Sequence, residues 1–454
     1  MKPTQEFAAL LAGLQYEDIP ASTLHSAKEK LVDFIAVAIA GVQRGELFKA
    51  LLPKARSRAV ENGCVVIGTE LRTAPEVAAL MNGISSHSLD LDDGHRTANG
   101  HPSITVIPAA LALSEVLERN GREFLLATIA GYETFVRLGT AFNPGIVRRG
   151  FHTTGVVGSL AAATAAAKLR GFDAEQITKS FGVAGLLSSG FIGVNHSGSS
   201  MKPLNAGHAA ENGVTAAEYV ALGANGALDI LEGRDAFVQA YSGMDVDYTA
   251  MMAGFGEKFR VEQCYIKLYP ACRHMHAAMD ACAELRGSID LTDIRSIEIT
   301  AYPNALQLTK KDSPPTDTAG TRFNMAFACA LALCNDTVGL EDFSIEMARR
   351  PDIAALFPKT TILCDPELES SERNIRGSVV AITTSKGTFR KQVLLSKGEP
   401  ENPVTRDELF GKFTTCVGDF WSPAKTRRVF ELIEGTEKLG AVRQLTQELS
   451  SRRD

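Results

Sequence analysis

Between His87 and His101 the chain reads His-Ser-Leu-Asp-Leu-Asp-Asp-Gly-His-Arg-Thr-Ala-Asn-Gly-His, three histidines and three aspartates in one short stretch. Eight of the nine histidines lie between positions 87 and 276, most of them beside Gly, Pro, Ser or Thr. Imidazole is the side chain best suited to moving protons near neutral pH. Such clustering in one part of the chain argues for an acid–base site over scattered core histidines.

Three polar clusters each precede an expected helix. They are His101-Pro102-Ser103, Gly150-Phe151-His152-Thr153-Thr154-Gly155, and Ser197 to Lys202 with Asn205 and Gly207-His208. Free backbone N–H groups at helix starts attract anions. If these starts converge they make a pocket suited to carboxylates, to which Lys202 adds a full positive charge. A fourth cluster, Lys267-Leu-Tyr-Pro-Ala-Cys-Arg273-His274-Met-His276, begins a second domain and is placed to close such a site. Asp90 is expected to face inward rather than Asp92, because positions i and i+3 of a helix share a face with His87. Plainer readings stand beside these. The acids can cap a helix end or pair with Arg96. His25, His95 and His196 read as structural or surface residues, Cys272 as packing, and the Gly/Ser run at 197–200 as a loop.

The elements that must position these groups follow from periodicity. Residues 1–264 read as a helical domain. Pro20 opens a long helix that Gly41 closes, and Pro75 opens the next, running to His87. Further helices are read from Pro108 to Leu117, over 123–139, over the Ala-rich 155–169 and from Ala209 to Leu222. The pattern changes near Tyr265. Arg295 to Ala301 alternates as a half-buried strand, and 378–384 with 388–395 reads as a hairpin turned by Ser385-Lys386-Gly387. Helices are expected at 323–333 and 344–356, so 265–396 reads as an α+β lid domain. Lys397 to Pro403 reads as a linker. From Thr405-Arg-Asp-Glu408, a capping box, helices continue, and 397–454 is expected to pack back on the first domain. The fold class is therefore mainly α, a large helical domain formed by both chain ends with an inserted α+β domain.

Composition narrows the function. At 454 residues, 45% hydrophobic and 22% charged, the chain has ample core material for more than one domain. The net charge of −6, without a basic stripe, excludes a nucleic-acid partner. The longest apolar run, Phe34 to Val42, is too short to cross a bilayer, so no membrane partner is expected. Eight cysteines without a CxxC pair speak against a zinc site or a disulfide framework. Met1 to Leu14 reads as neither a secretory signal nor a transit peptide. A cytoplasmic protein is expected, or a mitochondrial-matrix one if the source is eukaryotic. No GxGxxG, P-loop, HExxH or GxSxG motif occurs, nor a cysteine set for an iron–sulfur cluster.

Assembled, these segments resemble the MmgE/PrpD family. The match includes Leu89-Asp90-Leu-Asp92-Asp93, His101-Pro-Ser, Ile107-Pro-Ala-Ala-Leu-Ala, Arg149-Gly-Phe-His152-Thr-Thr-Gly, Met201-Lys202, Asn205-Ala-Gly-His-Ala-Ala, Lys267-Leu-Tyr-Pro270-Ala-Cys272 and Asn402-Pro403. The resemblance implies a homodimer and a cofactor-independent, metal-free lyase acting on a small polycarboxylate in a cleft between the domains. It points to Asp90, His101, His152 and Lys202 as site residues, with the Lys267–Cys272 segment. Where decarboxylases of the family carry a histidine in that segment, this chain has Cys272, with His274 and His276 following. His152 and His101 are then expected to transfer protons, and Asp90 to orient one imidazole. Lys202 is expected to hold a substrate carboxylate, with Lys267, Cys272, Arg273 and His276 as further substrate contacts. The first reading is a 2-methylcitrate dehydratase-like hydro-lyase. The alternatives are cis-aconitate decarboxylation and epimerisation of a dicarboxylate such as iminodisuccinate. Two readings of another kind are a Mg²⁺-dependent diphosphate enzyme built on Asp90, Asp92 and Asp93, and a non-catalytic polycarboxylate binder.

Overall fold

In the computed structural model the apolar run after Pro20 is a buried helix, α1 (Ala21–Arg44), which continues past Gly41. Gly41 does not close it but allows a close approach. A Cβ there would lie 1.8 Å from the Ser85 carbonyl oxygen, which belongs to α2 (Pro75–His87). Helix α3 (Ser103–Val116) begins five residues before the expected Pro108, which sits inside it. Next come α4 (Gly121–Phe142), the Ala-rich α5 (Thr153–Leu169) and α6 (Lys202–Ala221). The structure describes residues 1–196, 199–370 and 375–450. Ser197 and Gly198, part of the loop read before Lys202, lie outside them.

The chain divides into two compact units, Met1–Tyr265 with Arg406–Asp454, and Ile266–Thr405. Residues 397–405 thus cluster with the second unit rather than with the C-terminal helices. In the first unit α5 packs against α3, α4 and α6, and α6 also packs against α2. Small side chains allow this. Ala161 to Ala163 and Ala165 to Ala167 are all fully buried, so neighbouring backbones come close enough to exclude water from a wide apolar area. The Arg406–Val417 helix packs on α1.

The second unit holds a four-stranded sheet made of β1 (Ser296–Ala301), β2 (Thr360–Cys364), β3 (Ser378–Thr384) and β4 (Gly387–Val393), in the order β2-β1-β3-β4. β2 runs parallel to β1, and the other pairings are antiparallel. Ile299 lies beside Ile362 on one strand and Val380 on the other. The β3–β4 turn is the predicted one, with Thr384 opposite Gly387. The sequence reading missed β2, and its single helix over 344–356 is two short turns, Ile345–Ala348 and Pro351–Ala354. Pro351 has no N–H to continue the first of them. Helices His276–Arg286 and Met325–Cys334 complete the core, with Met279, Cys282, Ile297, Phe327 and Leu331 buried together. Among the described residues no helix is long and apolar enough to cross a membrane.

Candidate active site

Three helix starts and one helix end bring the first unit's polar groups together. α2 stops at His87, and the chain passes through Asp90 in the left-handed region, with φ 53°. His101 lies two residues before α3, His152 caps α5 and Lys202 is the first residue of α6. These starts are tied to one another. The His101 backbone N–H donates to Thr154 Oγ1 at 3.2 Å, and the Asn205 amide donates to His152 Nδ1 at 3.1 Å. The rings of His87 and His101 are 4.9 Å apart between centroids, those of His87 and His152 6.1 Å.

The three aspartates do different work. Asp92 is fully buried and receives two imidazoles, with His87 Nδ1 at 3.0 Å from one oxygen and His101 Nδ1 at 2.9 Å from the other. Asp90 pairs with Lys202 Nζ at 2.6 Å. Asp93 accepts from Ser103 N at 3.1 Å and from the Tyr132 hydroxyl at 2.8 Å. It therefore occupies the start of α3, which the sequence reading had left open to an anion. The carboxylate seen against His87 and His101 is Asp92, whereas Asp90 is seen against Lys202. The i, i+3 argument for Asp90 needs a helix, and the helix has ended at His87.

These partners fix the ring protons. His101 Nδ1 faces the Asp92 carboxylate and the Asp93 carbonyl oxygen, the latter at 2.6 Å, so it carries a proton. The Nε2 of a neutral His101 then presents a lone pair. His152 is the reverse. Its Nδ1 lies 3.1 Å from the Asn205 amide nitrogen, a donor, and so is the ring atom that accepts. The Nε2 of His152 therefore carries the proton. One ring offers a base and the other a donor.

Charge and burial set the protonation states. Burial, then the Lys202 charge and the other imidazoles, hold His152 well below the usual histidine range. Burial, only partly opposed by Asp92, brings His87 down to about 4. His87 Nε2 is buried with no hydrogen-bond partner among the described residues. Burial alone would raise Asp92, but the two imidazole donors outweigh it and hold that carboxyl well below the usual range. Burial raises Asp93, although Ser103 and Tyr132 oppose it.

Sequence reasoning missed Lys412. Its ammonium pairs with Asp33 of α1 and donates to the Leu91 carbonyl oxygen at 2.8 Å, bracing the aspartate loop from the C-terminal part of the chain. Asp33 lies 379 positions away, and no local signal joins the two. His87 and Asp92 stood in the motif itself, but their roles depend on where α2 stops.

In the second unit, Arg273 gives two N–H groups to Glu399 Oε1, at 3.0 and 2.8 Å, and reaches Lys397 O and His276 Nδ1. His276 Nε2 donates to Ala271 O at 3.2 Å. His274 Nδ1 lies 2.5 Å from the Tyr302 hydroxyl. Lys267 and Cys272 are buried.

One group of three possible metal ligands occurs among the described residues, His87, Asp92 and His101, with ligand atoms within 4.8 Å of one another. The Nδ1 atoms of both histidines lie against Asp92 oxygens, at 3.0 and 2.9 Å. The three aspartates face different partners, so they do not form the common carboxylate cage that a Mg²⁺–diphosphate site requires.

Comparison with known proteins agrees with this architecture. Residues 5–249 match the MmgE/PrpD N-terminal domain and residues 269–437 the MmgE/PrpD C-terminal domain. The chain belongs to the MmgE/PrpD family. It is 25% identical to a cis-aconitate decarboxylase of Aspergillus terreus over 96% of this chain and 93% of that protein. It is also 25% identical to the cis-aconitate decarboxylase of Homo sapiens, over 96% and 92%. A 2-methylcitrate dehydratase of Cupriavidus necator is 24% identical over 84% and 82%. The relatives named are lyases.

Proposed function

We propose that the protein is a lyase acting on a small polycarboxylate by proton transfer at a carbon next to a carboxylate. One observation carries the reading: the Nδ1 atoms of His101 and His152 face opposite kinds of partner, carboxylate and carbonyl oxygens at one and the Asn205 amide nitrogen at the other. Elimination of water at such a carbon needs a group that takes a proton and a group that gives one to the leaving hydroxyl, and decarboxylation needs a group that gives a proton to the carbanion left by CO₂. His101 Nε2 is the base and His152 Nε2–H the acid. Lys202 holds a substrate carboxylate by exchanging its Asp90 partner for it, and Asp90 then rests beside the entering group. The negative charge that develops on the substrate is stabilised by Lys202 and by neutral N–H donors already in place.

Dehydration of a 2-methylcitrate-like hydroxy acid remains the first chemistry proposed. Decarboxylation of cis-aconitate is the second, favoured by the longer coverage of the decarboxylase relatives. For Lys267 and Cys272 we propose substrate contact, whereas Arg273 and His276 hold each other and serve structure. A homodimer in the cytoplasm or the mitochondrial matrix is part of the same proposal, and light scattering checks the dimer. The deciding experiment incubates the protein with citrate, 2-methylcitrate, cis-aconitate and iminodisuccinate in D₂O and follows proton NMR. Elimination, loss of CO₂ or exchange at the carbon beside a carboxylate supports the reading, and silence on every substrate overturns it.

A further inference from the structure

A cavity of about 300 Å³ opens in the first unit, its lining more apolar than polar but including His95, Thr97, Arg137, Thr140, Arg260 and Gln263. None of the residues proposed above for proton transfer lines it. Its chemistry is set by two guanidinium groups. Arg137 is fully buried on α4, with Nε on Glu133 at 2.7 Å and Nη1 donating to Met251 O and Ala253 O, both at 2.9 Å. Its Nη2 is buried without a hydrogen-bond partner among the described residues. Arg260 gives Nη1 to Gln263 at 3.0 Å, and its Nε is likewise buried and unpartnered. Glu133 serves both arginines, its second oxygen accepting the Arg260 backbone N–H. Asp247, also in the lining, already accepts from Ala250 N at 3.0 Å and is exposed.

Glu133 thus pairs with the Arg137 guanidinium and takes only the backbone N–H of Arg260, and each guanidinium keeps a buried nitrogen without a partner among the described residues. Burial and the like charge of Arg137 push the Arg260 guanidinium down despite Glu133. Leaving such donors unmade is expensive, so an unpaired buried N–H in a native protein calls for a partner. The guanidinium fork matches an oxyanion better than any other ligand. The Thr97 and Thr140 hydroxyls, 3.1 Å from each other, add polar atoms at the mouth. The volume is at the lower end for ligand pockets and excludes a nucleotide.

We propose that this cavity binds a small oxyanion, a phosphate or a short-chain carboxylate, at a site separate from the His101–His152 cluster. The anion pairs with the Arg260 guanidinium, which is only half-buried where it lines the cavity. It also abuts the loop that leads to His101, because His95 N donates to Gly100 O at 3.0 Å and lines the cavity.

Calorimetric titration of the full chain with sodium phosphate and, separately, sodium malonate tests the proposal, with chloride adjusted to constant ionic strength. The two arms distinguish phosphate from carboxylate. At least one anion should bind saturably, and Lys202→Met should bind it as tightly as the parent. Arg260→Gln should weaken it roughly tenfold or more, equivalent to about 1.4 kcal/mol. Thr140→Trp, at an exposed position, should block the mouth and abolish the heat while leaving the thermal transition in place. Absence of saturable binding of either anion overturns the proposal. So does binding unchanged in both Arg260→Gln and Thr140→Trp, or binding lost in Lys202→Met, which would place the anion at the other site.

Discussion

Gly83 of α2 and Gly207 of α6 meet backbone to backbone. A Cβ on Gly83 would lie 2.7 Å from Gly207 Cα and 3.0 Å from the Ile104 carbonyl oxygen. The crossing sits four residues before His87 and five after Lys202, so it sets the separation of the imidazole cluster from the ammonium. Gly83→Ala is expected to destabilise the protein by about 1–3 kcal/mol through overpacking and to lower turnover in the folded fraction. Urea denaturation and an assay on the same sample check both. Unchanged stability would mean that the helices separate without strain.

Asp92 accepts from His87 Nδ1 through one oxygen and sets its other, negatively charged oxygen 2.9 Å from His101 Nδ1, a charge contact that an amide does not supply. In Asp92→Asn one oxygen remains to accept, and the NH₂ group faces a nitrogen that must give up its proton. A His101 driven into the other tautomer loses the lone pair at Nε2. A tautomer error of this kind lowers kcat by about 10⁴-fold in a comparable imidazole–carboxylate pair. We expect a loss of about 10³-fold or more, with the circular dichroism spectrum intact. Asp90→Asn, which releases Lys202, should act mainly on KM.

His101, His152 and Lys202 were legible in the sequence because each stands at the start of a segment with helical periodicity, and Pro, Thr and Gly mark those starts. The division of labour among the aspartates was not. It depends on α2 ending at His87 and on the positive φ of Asp90, neither of which the spacing reveals. Pro108 misled in a similar way. Proline is common at the first turn of a helix, yet here it lies inside α3, where the start is set by Asp93 accepting from Ser103 N. The α+β unit was readable from its alternating strands. β2, whose partner in the sheet lies about sixty residues earlier in the chain, escaped, as did the helix His276–Arg286.

Acid should destabilise the protein through His87. Its folded pKa of about 4 lies below the ordinary histidine value of 6.5. The unfolded chain therefore binds a proton first as the pH falls. Stability from a neutral His87 is present above about pH 6.5 and is lost progressively towards pH 4, by up to about 3 kcal/mol. His152 shifts in the same direction. Asp33 works the other way, since its raised pKa of about 6 adds stability as the pH drops from 6 towards 4. A difference between variants isolates His87. The stability gap between the parent and His87→Asn, from urea unfolding, should be wider at pH 7 than at pH 4.5. A gap independent of pH would place the His87 titration elsewhere.

Lys412 joins three parts of the first unit by pairing with Asp33 on α1 and holding the Leu91 carbonyl. Removing one member of a buried ion pair leaves the other charge uncompensated, which typically costs about 3–5 kcal/mol. Lys412→Met should therefore be strongly destabilised at pH 7. Asp33 already titrates near 6 with its partner present, and burial pushes it further up without the ammonium. Lys412→Met should accordingly recover part of its stability at pH 5, where Asp33 takes up a proton. Asp33→Asn combined with Lys412→Met removes the buried charge altogether and should be more stable than Lys412→Met alone at pH 7. The Leu91 carbonyl still lacks its donor in the double variant, so the aspartate loop is less constrained. Turnover should stay low even where stability returns. Full recovery of both would show that the pair serves folding only and does not position Asp90 and Asp92.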